Sequence, residues 1–133
     1  MKTEELRKTF SLYLAVSNQH NVTEMRKFYS PTIRINDVPT NPTAVTDTFT
    51  ELWQGFPDWS WEARHIIIEG NYIAVQFKQS GVHTGIFKGI QPTGRHVVAA
   101  EFSIYLFDEH EGVFTDIWDL DQPAAAIVAQ LTT

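Results

Sequence analysis

Gly81-Val-His-Thr-Gly-Ile-Phe-Lys-Gly-Ile-Gln-Pro-Thr-Gly94, with the two runs behind it, residues 95–107 and 113–119, decides how this chain folds. Glycine and proline punctuate the first part so densely that it reads as turns. The run 95–107 then alternates in period two, with Val97, Ala99, Glu101, Ser103 and Tyr105 on one face and Val98, Ala100, Phe102, Ile104 and Leu106 on the other. One face is wholly apolar. The other mixes a carboxylate and a hydroxyl with apolar groups, the composition of a sheet that lines a pocket. The run 113–119 sets Val113, Thr115, Ile117 and Asp119 against Phe114, Asp116 and Trp118, and it ends on an acid beside a tryptophan.

Upstream, residues 59–69 and 72–79 read as two strands joined across Gly70-Asn71, a pair suited to a tight hairpin turn. Helices precede them. Leu6, Phe10, Tyr13, Leu14 and Val16 recur at helical spacing over residues 3–18, with Glu4 and Glu5 at the positive end of the dipole. Asn21 and Glu24 form a cap pair for a short second helix that would bury Val22, Met25, Phe28 and Tyr29 and stop at Pro31. Residues 32–36 read as an edge strand and 37–40 as a loop. Asn41-Pro42 opens a third helix, residues 43–54, that presents Val45, Phe49, Leu52 and Trp53 and halts at Gly55. Asp121 is placed to cap a last helix over residues 122–131, with Pro123 in its first turn. The expected architecture is one α+β domain over residues 1–133: a curved antiparallel sheet wrapped around three N-terminal helices, with a short C-terminal helix.

Composition narrows the function. A chain of 133 residues, 43 % hydrophobic and 13 % aromatic, has material for one sizeable core. Without cysteine there are no disulfides, thiol nucleophiles or cysteine-bound metals. A net charge of -6 without clustered Lys or Arg argues against nucleic acid as a partner. No run reaches the ~18 apolar residues of a membrane span, and the acidic start Met1-Lys-Thr-Glu-Glu is unlike a signal peptide. The expectation is a soluble, cytoplasmic protein with no membrane partner.

The spacing of Gly81, His83, Gly85, Phe87, Gly89, Pro92, Thr93 and Gly94, followed by Gly112-x-Phe-x-Asp-x-Trp118 and a terminal Ala-Gln-Leu131, resembles the SnoaL-like polyketide cyclase family. The resemblance covers nearly the whole chain. It implies a cone-shaped fold, shared with ketosteroid isomerases and limonene epoxide hydrolases, whose wide end takes a small hydrophobic substrate. It also implies chemistry without metal or cofactor. Asp119 matches the position where the aldol cyclases carry their acid/base aspartate. A poly-β-carbonyl substrate has an acidic methylene, so one carboxylate in a partly apolar pocket can take its proton and return it later. The plain alternative is a solvated Asp119 before a helix.

Tyr13 and Asp37 resemble in placement the oxyanion-binding tyrosine and proton-shuttling aspartate of ketosteroid isomerases. Ser103 stands where those enzymes carry a third, acidic member, and where the cyclases carry a histidine; Glu101 stands where the cyclases carry a glutamine. Asp37 as a turn residue and Tyr13 as helix packing are the plain alternatives. Glu101 is either a partly desolvated acid or the partner of Arg34, Arg64 or Arg95. His83 either relays protons at the pocket mouth or ties its own loop by hydrogen bonds. His65 and His96 have no ligand at metal-binding spacing, so no metal site is expected. Trp53, Phe56, Trp59 and Trp61 crowd one region, as core or as the wall of a flat ligand's site. The candidate catalytic residues are therefore Asp119, Asp37, Glu101 and His83, with Tyr13, Ser103, Trp53, Trp61, Phe87 and Tyr105 as substrate contacts. Ile66, Ile68, Val75, Phe77, Phe102, Ile104 and Leu106 are expected to form an outer apolar sheet face through which the chain dimerises. An epoxide hydrolase site is disfavoured, since Glu101-x-Ser103 lacks its arginine.

Overall fold

The computed structural model describes residues 2–119 and 122–133. Its elements run α1 (Thr3–Asn18), α2 (Val22–Arg26), β1 (Tyr29–Ile35), β2 (Val38–Pro39), α3 (Pro42–Gly55), β3 (Ser60–Glu69), β4 (Tyr72–Val82), β5 (His96–Asp108), β6 (Val113–Asp119) and α4 (Gln122–Leu131). The six strands form one sheet in the order β2-β1-β6-β5-β4-β3. All neighbours are antiparallel except β1 and β6, which run parallel. This is the expected α+β cone.

Local chemistry sets the helix starts. Asn21 Oδ1 accepts the Glu24 N–H, and Asn41 Oδ1 accepts the Ala44 N–H at 2.9 Å with Pro42 behind it. The proposed cap Asp121 lies outside the described residues. The second helix is shorter than its apolar spacing predicts. It ends at Arg26, and Tyr29 already opens β1, with Pro31 inside that strand rather than at a helix stop. The missing Pro31 N–H is tolerated because the β1–β6 register shifts between Tyr29 and Arg34. Nor is β1 an edge: it lies between β6 and the two-residue β2. Asn36 and Asp37, both left-handed at φ 51° and 68°, make the hairpin turn that connects β1 to β2.

The start of the glycine-rich stretch is strand, because Gly81 and Val82 still pair with Val97 and His96. Beyond it, Gly85 lies so close to the Gln54 carbonyl that a Cβ there would overlap it, while the Gly85 N–H bonds Gly55 O at 3.1 Å. The glycine seats this loop on the end of α3. Phe10 from α1 meets Tyr105 at 5.1 Å between ring centroids, and Phe114 meets Tyr105 at 5.3 Å and Tyr13 at 5.2 Å. Each such buried ring contributes about 1.5–3 kcal/mol, and together they fill the closed end of the cone.

The faces of β5 follow its alternation: Val97, Ala99, Ser103 and Tyr105 are buried, while Val98, Phe102 and Ile104 are exposed. Two neighbouring strands differ from expectation. Val75 and Phe77 are 2 % and 3 % exposed and belong to the inner face, because they stand opposite Ser103 and Glu101. A bulge between Ala63 and His65 turns Ile66 and Ile68 inward as well and leaves Ile67 outside. The outer apolar face is thus Ile67, Val98, Phe102 and Ile104, with Trp118 opposite Ile104.

Candidate active site

Between α1, α3 and the inner face of the sheet lies a cavity of about 440 Å³. Tyr13 and Leu14 of α1, Val45, Thr48 and Phe49 of α3, and Trp61, Phe77, Glu101, Tyr105, Ile117 and Asp119 of the sheet supply most of its wall. A second lobe of about 270 Å³, with Leu52, Gln79, Phe87 and Ile127 in its wall, shares Thr48, Phe49, Trp61, Glu101 and Asp119 with the first. The two carboxyl residues therefore stand where the lobes meet.

Register explains the meeting. Ser103 pairs with Asp119 across β5 and β6, so the inner-face positions of β5 bring Glu101 close to the end of β6. Asp119 acts on Glu101 both as a neighbouring negative charge and as a hydrogen-bond partner. Burial is the first cause, and Asp119 the second, of a rise in the Glu101 carboxyl from 4.5 to about 7; Ser103 and Gln79 oppose the rise. The Ser103 hydroxyl donates to Glu101 Oε1 at 3.2 Å, and Gln79 Nε2 donates to Oε2. Glu101 is thus a desolvated acid with two neutral donors, Ser103 and Gln79, and one negative neighbour, Asp119. Two of the arginines weighed as its partners are engaged elsewhere: Arg34 with Asp116, and Arg95 with the carbonyls of Gln130 and Thr133.

Asp119 is held from the other side. Asn36 Nδ2 donates to Asp119 Oδ1 at 2.9 Å, and the Asp119 N–H returns a bond to Asn36 Oδ1 at 2.8 Å. Tyr13, 4 % exposed, shares a 2.7 Å bond with the Tyr29 hydroxyl and faces the cavity. Burial pushes the Tyr13 phenol up to about 12, and the phenols of Tyr29 and Tyr105 rise for the same first cause. At neutral pH all three keep their hydroxyl protons and can serve as hydrogen-bond donors.

Several expected residues are placed otherwise. Asp37 does not line either lobe: the left-handed turn carries it to the hairpin tip, where Oδ1 accepts the Trp118 indole N–H at 3.0 Å. His83 is fully buried but lines neither lobe. Its Nδ1 accepts the Thr93 N–H at 3.1 Å, and its ring stacks on Phe56, so it ties the loop together. Trp53 stacks on His20 at 4.2 Å, outside the cavity wall. Ser103 reaches the site through Glu101. Trp61 walls both lobes, and Phe87 walls the second. Gln79 and Asn36 carried no signal in the sequence, since Phe77, which shares the parity of Gln79 on β4, was expected on the outer face. Among the described residues, no group of three or more His, Cys, Asp or Glu side chains is arranged to hold a metal. No helix among them is long and apolar enough to cross a membrane.

Comparison with solved structures gives the same fold. The chain superimposes on AclR from Streptomyces galilaeus with a TM-score of 0.84 at 22 % identity, covering 98 % of this chain and 82 % of that one. A SnoaL-like polyketide cyclase from Agrobacterium tumefaciens gives 0.78 at 23 % identity over 98 % and 99 % of the two chains. TsrD from Streptomyces laurentii gives 0.82 at 19 % identity over 99 % and 98 %. No curated protein matches the chain. The model of the SnoaL-like polyketide cyclases matches residues 7–131. With a cone that encloses a two-lobed cavity and a match across all but its ends, the chain belongs to the SnoaL-like polyketide cyclase family.

Proposed function

We propose that the protein is a cofactor-free acid/base enzyme of secondary metabolism, a cyclase or isomerase acting on an enolisable polyketide-like or terpenoid molecule. The observation that carries this reading is the Glu101–Asp119 pair standing where two lobes of a largely apolar cavity meet. Burial and the neighbouring Asp119 charge keep a proton on Glu101 into the neutral range, which suits Glu101 to the role of acid and leaves Asp119 that of base. Asp119, whose oxygen Oδ1 is steadied by an amide N–H, is the base. Glu101 carries the proton.

In the proposed reaction Asp119 takes a proton from the carbon between two carbonyls. The C–H electron pair moves into the new C=C bond, and the carbonyl π pair moves to oxygen. That oxygen receives a hydrogen bond from Tyr13 or the proton of Glu101. In a cyclase the enol carbon then forms a bond to a second carbonyl carbon, whose oxygen takes the proton held by Asp119, and Glu101 recovers its own when the first carbonyl re-forms. In an isomerase the proton returns to a different carbon of the extended enol. Phe49, Trp61 and Tyr105 offer apolar and aromatic surface to the body of the substrate.

The test is hydrogen–deuterium exchange of 1,3-diketone and poly-β-carbonyl probes in D2O, followed by NMR. Wild type is expected to speed exchange, and Asp119→Asn to abolish the gain. Probes that bind and quench tryptophan fluorescence without faster exchange would assign the chain to its alternative, a non-catalytic small-molecule binding module of the same fold. We also propose a cytoplasmic homodimer that covers the outer sheet face, since Phe102 and Ile67 are 63 % and 67 % exposed. Sedimentation should show a dimer at micromolar concentration that Phe102→Asp disrupts; a wild-type monomer would remove this part of the reading.

A further inference from the structure

The hydrogen bonds behind Glu101 have a fixed direction. Trp59, 1 % exposed, donates its indole N–H to Gln79 Oε1 at 3.1 Å. An indole nitrogen has a proton and no available lone pair, so it only donates. The Gln79 amide, itself 2 % exposed, must therefore turn its oxygen to Trp59 and its NH2 to Glu101 Oε2. Asn36 repeats the device on Asp119: a backbone N–H, again only a donor, claims Asn36 Oδ1 and leaves Nδ2 for Asp119 Oδ1. Each carboxyl thus has one oxygen occupied by an amide N–H. Protonating that oxygen would set two donors head to head.

We propose that Gln79, oriented by Trp59, is a positioning residue that keeps the acid proton of Glu101 off Oε2 and confines it to Oε1. The Ser103 hydroxyl does not compete with this placement, because it rotates to accept from Oε1–H as readily as it donates to the carboxylate. The inference rests on the acid/base reading of this site only for its use in turnover. The clamp itself is a property of the protein without substrate. Its effect on catalysis is to hold the acid proton on one defined oxygen, Oε1, so that the donor is presented in a single geometry.

The groups that face Glu101 are few. Asp119 comes from β6, Tyr13 from α1 and Tyr105 from β5, with Glu51 of α3 and Lys88 of the loop after β4 across the second lobe. Both tyrosines stay neutral through the neutral range. Lys88 is paired with Glu51 at 3.5 Å. Asp119 is therefore the charge that dominates, and Gln79 supplies an opposing donor on Oε2.

The experiment is a 13C titration of the Glu101 side-chain carboxyl in labelled protein, in wild type, Gln79→Met and Trp59→Phe. Gln79→Met keeps the length and apolar packing but removes the donor, and is expected to raise the Glu101 midpoint by about one pH unit. Trp59→Phe frees the amide to flip, and the midpoint should move the same way by less. Gln79→Glu provides an internal check: a neutral carboxyl accepts from Trp59 and donates to Glu101, so the midpoint should rise most where residue 79 ionises. Unchanged midpoints in folded Gln79→Met and Trp59→Phe would overturn the proposal; if Trp59→Phe fails to fold, Gln79→Met alone decides. In turnover, the alkaline limb of kcat should move up with the titration while KM holds, which a merely structural role would not produce. A protein that exchanges no probe yet shows the titration shifts keeps the clamp and loses the acid/base reading, so the two fail separately.

Discussion

Asp116 and Asp119 lie three positions apart on β6, and their surroundings give them opposite work. Asp116 is 1 % exposed and takes two bonds from Arg34, at 2.8 and 3.0 Å. The Arg34 guanidinium holds its carboxyl below the usual range. Asp119 meets an amide and another carboxyl, and through that contact it helps push Glu101 up to about 7. Asp116 in mid-strand is held charged, while Asp119 at the strand end helps keep a proton on Glu101. What differs is the partner across the sheet: Arg34 pairs with Asp116 in the β1–β6 register, while β5 brings its Ser103 end and Glu101 to Asp119.

The largest effect that would break this contrast is catalytic. Asp119→Asn should lower the exchange rate by ~10²–10⁴, the usual worth of a positioned acid/base group, with the fold intact by circular dichroism. It should also let Glu101 lose its proton at lower pH, since a repelling charge is gone. Wild-type activity is expected to fall as pH rises through about 7, because the acid must be protonated; a rate that climbs steadily past that point would give Glu101 another role.

Stability sharpens the contrast next. Glu101 titrates near 7 when folded and near 4.5 otherwise, so the folded chain holds a proton that the unfolded chain has released between those values. Its contribution is complete below 4.5 and is lost as pH rises through about 7, on the order of 3 kcal/mol in all. Glu101→Gln should therefore raise Tm at pH 8 and bring no such gain at pH 4. Asp116 runs the other way: its folded value is depressed, so its contribution is present above the ordinary 3.8 and fades as pH falls through its folded value. The smallest effect is Asp116→Asn, about 1 kcal/mol at neutral pH by urea denaturation, because the Arg34 end is half exposed and screened. Equal pH responses in the two variants would erase the distinction.

Much of this was legible in the residues. The alternation of 95–107 gave both faces of β5, and the glycine pattern of 81–94 carried the family. Alternation within one strand does not say how its neighbour is phased, which is why Val75 and Phe77 moved to the inner face once Ser103 and Glu101 stood opposite them. A single extra residue at the β3 bulge likewise reversed the isoleucines. Asp37 left the pocket because two consecutive left-handed residues turned it toward Trp118. Gln79 had no signature at all: an amide on an inner strand position becomes informative only when its donor and acceptor partners are seen.

The parallel pairing of β1 with β6 has a consequence for how the protein comes into being. The bonds that join them span 82 and 83 positions, and they include the amide grip on Asp119. Contacts so distant along the chain form slowly, since a long loop must close before they repay it. A nascent chain on the ribosome can fold its helices and the β3–β4 hairpin early, yet it has no site until residue 119 has emerged and docked beside Asn36. The proposed acid/base pair would therefore be a certificate of completed folding, and truncated or half-folded copies would carry none of its reactivity.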